Sequence, residues 1–280
     1  MTFAGALGYG KELLRQAGVP DYGLDAWYLM EYACKMEKSD YYLHSFEEMD
    51  NEKFQEYRFL LKKRGERVPL QYITGMQEFM GLKFKVNSHV LIPRQDTEAL
   101  VEGVLKVLEP GMEVLDLCTG SGCVIISLMK CSGKKVRAVA SDISKQALLV
   151  AKENARNHGV EVEWVRSDLF QNITGTFDLI VSNPPYIPTE TISSLMPEVR
   201  DFEPFEALDG SEDGLLFYRE IVQKGKKFLK SNGYLYFEIG HDQGKVIAFL
   251  MEGHGFRNVK VIKDLAGNDR VVCGNLPAVK

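Results

Sequence analysis

The segment Asn183-Pro184-Pro185-Tyr186 has the residue types, in the order needed, to hold a planar NH2 group. Two consecutive prolines stiffen the backbone and supply no N–H to compete for the local carbonyls. The Asn183 side-chain oxygen and the Pro184 carbonyl can then each accept one hydrogen of an incoming amide or amine, while Tyr186 covers its flat face. An amide nitrogen shares its lone pair with the carbonyl and is a poor nucleophile, so positioning must do the work. Two acceptors aimed at the N–H bonds stabilise positive charge growing on nitrogen as it attacks an electrophilic carbon, such as a methyl group on a sulfonium. Read alone, Asn-Pro is also an ordinary turn opening.

A second constellation lies upstream. Asp116-Leu117-Cys118-Thr119-Gly120-Ser121-Gly122 follows an apolar run and opens a helical pattern, where backbone N–H groups face a ligand carboxylate or phosphate. Gly120 and Gly122 permit close approach; by themselves they also suit a bare strand-to-helix turn. A dinucleotide fingerprint requires Gly or Ala at position 125, and Ile125 stands there, which disfavours pyrophosphate. Asp142 falls at the expected end of the next strand, roughly twenty residues beyond the glycines, where a carboxylate can accept from both ribose hydroxyls. Further on, Asp168 can accept from an adenine amine with Leu169 packed on the ring, or it can cap a helix. Together the two constellations indicate methyl transfer from S-adenosylmethionine to an amide or amine nitrogen, leaving S-adenosylhomocysteine.

The elements that must position these residues are legible from periodicity. From residue 2 to 75 the apolar residues recur at helical spacing, as in Leu24, Trp27, Tyr28 and Tyr32, and predict a small helical bundle. Alternation around Gly81 in residues 77–90 predicts a β-hairpin. After Pro93 helical and strand patterns alternate: helix 96–108, strand 112–117, helix 124–130, strand 136–141, helix 145–157, strand 162–165, strand 177–181, helix 214–229, strand 234–239, helix 243–252, then strands near Val259 and Val271. Such alternation implies a mostly parallel sheet covered by helices on both faces. The expected fold class is α/β, with boundaries at 1–75 for a helical domain, 76–92 for a hairpin linker and 93–280 for the catalytic domain. The long irregular stretch 184–213 is expected to serve the site.

Composition excludes several classes. The 280 residues are 45% hydrophobic and 26% charged, ordinary for a chain with a sizeable core. Net charge is −5, and residues 1–80 hold 10 Lys/Arg against 13 Asp/Glu, so the usual basic footprint for nucleic acid is missing. Five cysteines without a C-x-x-C pair, and five scattered histidines, predict reduced thiols and no metal site. No apolar run approaches the roughly 18 residues of a spanning helix, and no leader is evident, so a cytoplasmic protein is expected.

On these motifs the chain resembles the HemK/PrmC family, the protein-(glutamine-N5) methyltransferases of peptide chain release factors. The likeness rests on Arg64-Gly-Glu-Arg-Val-Pro-Leu-Gln-Tyr-Ile-Thr-Gly75 with Glu78-Phe79, on Leu91-Ile-Pro-Arg-Gln-Asp-Thr-Glu98, and on Asn183 to Tyr186. Glu203-Pro-Phe-Glu-Ala-Leu208, Asp213-Gly-Leu215 and Gly267-Asn-Asp-Arg-Val271 extend it. The resemblance implies a Rossmann-like catalytic domain behind a helical domain that docks class I release factors; a monomer is expected because no exposed apolar stripe is left over, and the acidic N-terminal region speaks against direct nucleic-acid contact. The acceptor would be the glutamine of a Gly-Gly-Gln loop. Cys118, Thr119, Gly120, Ser121, Gly122, Asp142, Leu169 and Asn183 would contact the cofactor, Pro93 and Arg94 would line its pocket, and Asn183 to Tyr186 would hold the amide. Two positions depart from the family pattern: Cys118 stands where Gly is usual and Gln95 where Pro is usual. The same Asn-Pro-Pro-Tyr geometry would also serve an amino-methyltransferase acting on adenine or cytosine.

Overall fold

A computed structural model describes residues 1 to 278. The chain divides into a helical unit, Met1–Met76 together with Met196–Phe202, and a larger unit comprising Gln77–Leu195 and the residues from Glu203 onward.

The helical unit contains α1 (Phe3–Gln16), α2 (Tyr22–Cys34), α3 (Lys38–His44), α4 (Asn51–Gly65) and α5 (Leu70–Thr74). The starts of α1 and α4 are set by side chains that satisfy free N–H groups: Thr2 accepts from Gly5 N at 3.1 Å and Asp50 from Glu52 N at 2.7 Å. Ala6, Leu14, Leu29, Met30, Tyr57 and Leu61 form its core. Gly10 lets α1 approach α4 closely, because a Cβ there would lie 2.8 Å from Tyr57 Cζ, and the Tyr57 hydroxyl donates to Ala26 O at 3.0 Å. Beside this core lies a buried ion cluster. Arg64 donates to Asp25 at 2.6 Å and to Glu198 at 2.9 Å, and Arg67 grips both Glu198 oxygens at 2.7 and 2.6 Å.

The hairpin expected around Gly81 is present as β1 (Met76–Phe79) and β2 (Leu82–Lys85). Its two turn residues, Met80 and Gly81, have φ of +52° and +68°, the two positive values of a type I′ turn.

The larger unit continues with α6 (Glu98–Leu105), β3 (Glu113–Leu117), α7 (Cys123–Ser132), β4 (Arg137–Asp142), α8 (Lys145–His158), β5 (Glu163–Arg166) and β6 (Phe177–Ser182). There follow α9 (Thr189–Ile192), α10 (Pro197–Arg200, part of the helical unit), α11 (Leu216–Gly225), β7 (Leu229–Glu238), α12 (Gly244–Gly253), β8 (Arg257–Lys263) and β9 (Asp269–Asn275). Seven strands form one sheet in the order β5-β4-β3-β6-β7-β9-β8, parallel as far as β7 and antiparallel beyond it. Two apolar clusters include buried residues of β3 and β6. One takes Val114 and Val181 with α6, α7 and Phe79 and Phe84 of the hairpin; the other takes Leu115 and Ile180 with α11 and α12. This alternation is the two-residue period of strands buried on both faces.

The expected alternation of helices and strands is therefore observed, with shifted bounds. The helix expected at 96–108 begins as a 3-10 turn, Gln95–Thr97, and ends at Leu105. Helix 214–229 stops at Gly225, because Phe177 already pairs with Leu229; β7 then bends at Asn232, whose φ is +64°, before Tyr234 pairs with Leu179. The stretch 184–213 contains α9, α10 and a 3-10 turn at Phe205–Ala207. Among the described residues no helix is long and apolar enough to cross a membrane, and no three His, Cys, Asp or Glu side chains converge as metal ligands.

Candidate active site

The order of strands reverses between β3 and β6. From β3 the chain winds outward through β4 to β5, then returns to lay β6 on the other side of β3. Ligands bind in the crevice that such a reversal opens beyond the carboxyl ends of the strands. Register brings the candidate residues together there: Leu117 pairs with both Ser141 and Ser182, so the turns starting at Cys118, Asp142 and Asn183 leave the sheet side by side. Around them is a cavity of about 700 Å³, lined by Cys118, Thr119, Gly120, Ser121, Asp142, Leu169, Asn183 and Pro185, and by Pro93 and Arg94.

The turn after β3 is tied down at Thr119. Thr119 N donates to Ser141 O at 3.0 Å, and the Thr119 hydroxyl donates to Asp116 Oδ2 at 2.6 Å. Gly120 has φ of +55° and open space where a Cβ would be. Gly122 serves packing instead and does not line the cavity: a Cβ there would stand 2.9 Å from Ile126 Cδ1 and 3.2 Å from Ala151 Cβ. Cys118 sits at φ of +59°, a left-handed conformation that glycine adopts without strain. Burial pushes its thiol well above the ordinary range, so it is an unreactive part of the wall.

Asp142 closes β4. Its Oδ2 accepts from Gly120 N and its Oδ1 from Ser144 N, each at 2.9 Å. These bonds, with a further one from the Ile143 backbone, fix the carboxylate beside the cavity. Burial raises its pKa against the pull of those N–H groups. Asp168 is exposed on the rim and accepts from Gln171 at 2.9 Å; Leu169 beside it has φ of +45° and turns back to the cavity wall.

In the segment after β6, Asn183 and Pro185 line the cavity whereas Pro184 and Tyr186 do not. Tyr186 lies behind the wall: its hydroxyl is 3.4 Å from Glu238 Oε1, and its carbonyl accepts from Gln243 Nε2 at 3.1 Å. Arg94 is bound to Glu203, a buried carboxylate whose pKa burial raises despite the guanidinium.

Sequence reading missed several wall residues. Asp116 is buried at the base of the cavity, and burial, opposed by the Thr119 hydroxyl, pushes it up to about 7. Its position inside the glycine motif was the available signal. Thr97 and Phe205 also line the cavity, within motifs that carry the family likeness. Nothing local marked Gln243; a Glu closing the apolar run Tyr234–Glu238 was the one cue to a functional carboxylate there.

Five acidic residues line the cavity against Arg94, Lys145 and Arg166, and Arg94 is neutralised by Glu203. Such walls favour a cationic ligand over a pyrophosphate. A sulfonium-bearing nucleoside suits this charge, the apolar Leu169 and the carboxylate of Asp142.

The seven-stranded sheet with its reversed last strands, and the crevice at the β3–β6 reversal, define a Rossmann-like methyltransferase. In agreement, residues 94–196 match the methyltransferase small domain model and residues 5–75 match the PrmC N-terminal domain model. A solved methyltransferase from Pyrococcus furiosus shares the fold, with a TM-score of 0.53 at 18% identity over 71% of this chain and 90% of that one. The release factor glutamine methyltransferase of Geobacter sulfurreducens is 38% identical over 276 residues, 98% of this chain and 97% of its own length. That of Moorella thermoacetica is 40% identical over 276 residues, 96% of this chain and 97% of its own. The chain belongs to the release factor glutamine methyltransferase family.

Proposed function

We propose that this enzyme transfers a methyl group from S-adenosylmethionine to the side-chain amide nitrogen of the glutamine in the Gly-Gly-Gln loop of class I peptide chain release factors. The observation that carries this reading is the sharing of one cavity by Asn183 and Pro185 with Cys118–Ser121, Asp142 and Leu169. Residues 93–280 carry the transfer, 76–92 link, and 1–75 dock the release factor; the enzyme acts as a cytoplasmic monomer without direct nucleic-acid contact.

Bound S-adenosylmethionine supplies an electrophilic methyl on a sulfonium and leaves as S-adenosylhomocysteine. Asp142 would bind the ribose hydroxyls, Leu169 would pack on the adenine, and the backbone of residues 118–121 would take the amino-acid end, with Pro93 and Arg94 completing the pocket. The Asn183 side-chain oxygen and the Pro184 carbonyl accept the two amide hydrogens, turning the nitrogen lone pair toward the methyl at roughly 3 to 3.5 Å. Both acceptors bind more tightly as positive charge grows on nitrogen, so they lower the barrier rather than merely hold substrate. As the N–CH3 bond forms the S–CH3 bond breaks, and one amide proton passes to solvent.

The test is transfer of a labelled methyl group to purified class I release factor, beside a factor whose Gly-Gly-Gln glutamine is replaced and beside unmethylated DNA. Label on the intact factor alone is expected. Label on DNA would move the enzyme to the nucleic-acid amino-methyltransferases.

A further inference from the structure

Tyr186 is gripped at both ends by one short segment, Glu238 to Gln243. At the closing end of β7, Glu238 Oε1 lies 3.4 Å from the Tyr186 phenol oxygen. Five residues on, Gln243 Nε2 donates to the Tyr186 carbonyl at 3.1 Å and to Gly214 O at 3.3 Å, while Gln243 Oε1 is fixed by Gly240 N at 2.9 Å. The tyrosine backbone is pressed between two glycines. A Cβ on Gly210 would lie 2.8 Å from Tyr186 Cα, and one on Gly214 would collide with the Tyr186 carbonyl.

Glu238 is an expensive residue to keep in such a place. It is 1% exposed, and its Oε2 has no hydrogen-bond partner among the described residues. A buried, half-satisfied carboxyl calls for a functional explanation. Its neighbours give one: Thr97, whose hydroxyl favours the carboxylate, lines the cavity on one side, and Tyr186 of the acceptor segment stands on the other.

We propose that Glu238 and Gln243 are positioning residues for methyl transfer, holding the Tyr186 ring and carbonyl so that the Asn183-Pro184 acceptors keep a fixed aim. This rests on the reading of residues 183–186 as the amide clamp. Two rigid prolines join Asn183 to Tyr186, so a displacement of the tyrosine is passed to Pro184 and Asn183 rather than absorbed between them.

A charge signature separates positioning from plain structure. Burial, partly offset by Thr97 and Arg270, pushes Glu238 up to about 7. The charged and titratable groups facing it are Arg270 on β9, Asp96 on the 3-10 turn, Tyr186 itself, Tyr218 on α11 and Cys123 on α7. The ionised carboxylate, which accepts more strongly from the phenol, predominates above that value.

Glu238→Gln keeps the shape and removes the titration. We expect kcat to fall about tenfold at pH 8, KM and cofactor affinity to stay as in the wild type, and the rise of kcat across neutral pH to flatten. Gln243→Met should lower kcat in the same way. Adding Tyr186→Phe to Glu238→Gln should cost little more at pH 8, since each removes the charge-assisted bond between phenol and carboxylate. Wild-type kcat and pH profile in Glu238→Gln, or strict additivity in the double variant, would overturn the proposal. If Glu238→Gln does not fold, wild-type kcat in Gln243→Met overturns it. The Tyr186–Glu238 cycle can also be read as melting temperature, which needs no substrate, and additivity there has the same meaning. Absence of label on release factor with the wild type would instead defeat the preceding reading.

Discussion

At the residue scale, Asn183 and Asp142 are expected to fail in different ways. Asn183→Ala removes an acceptor whose bond strengthens in the transition state, so turnover should drop by about two to three orders of magnitude while calorimetry finds cofactor affinity within a few-fold of the wild type. Asp142→Ala removes a charged acceptor, and cofactor affinity itself should fall about tenfold or more. Near-normal turnover in the first variant would remove the clamp from the mechanism. Cys118 is strained at φ of +59°, and Cys118→Gly should therefore raise unfolding stability by about 1 kcal/mol, measured by denaturant titration. Asp116 titrates from about 7 in the native state against an ordinary 3.8. The native protein thus holds a proton that the unfolded chain has already released between those values, and the stability this residue contributes falls as pH rises through 7. Asp116→Asn should accordingly gain more melting temperature over the wild type at pH 8 than at pH 5; an equal gain at both would place the carboxyl in contact with solvent. The residue types at all these positions were legible because each motif is contiguous. That Cys118 stands where glycine is usual was legible in the sequence; its left-handed φ of +59° is set by the folded turn.

At the scale of elements, the strand-to-helix turn depends on how closely α7 can approach α8 and β5. Gly122, with φ of +80°, leaves no room for a side chain against Ile126, Ala151 and Trp164. Gly122→Ala should cost about 2 kcal/mol or more through backbone strain and overpacking together, seen as a lower melting temperature; unaltered melting would mean that the turn yields. Periodicity revealed the kind of each element better than its ends. Helix α11 stops short because pairing of Phe177 with Leu229 recruits the following residues into the sheet, a long-range event that a local apolar pattern cannot report. The two glycines of the motif look alike in sequence yet do different work. Gly120 faces open space while Gly122 faces packed side chains, and only the neighbouring helices distinguish them.

At the scale of the whole molecule, each unit has its own means of cohesion. In the helical unit two guanidiniums outweigh burial and hold Glu198 below the usual carboxylate range, whereas burial outweighs Arg64 and raises Asp25. Glu198→Ala leaves Arg64 buried with one carboxylate in place of two and strips Arg67 of its bidentate partner, so the helical unit should lose about 3 kcal/mol. Loss of helical signal at a lower temperature in circular dichroism checks this; an unchanged transition would make the cluster neutral. Lys62, Lys63, Arg64 and Arg67 form a basic run at the end of α4, a pattern that by itself suits a solvated helix end. Arg64 is instead 6% exposed, because its partner lies 134 residues away in the chain.

The sequence by itself determined the α/β class, the helical bundle, the hairpin and the two motifs, because each depends on contacts or dihedral angles among residues near one another in the chain. Tertiary structure decided what the motifs face. Strand register sets Cys118, Asp142 and Asn183 side by side; packing assigns Gly122 to the core and Gly120 to the cavity; and the return of β7 brings Glu238 and Gln243 to Tyr186 from more than fifty residues away. No local pattern encodes these, since hydrogen bonding and close packing act between surfaces that exist only once the sheet has formed.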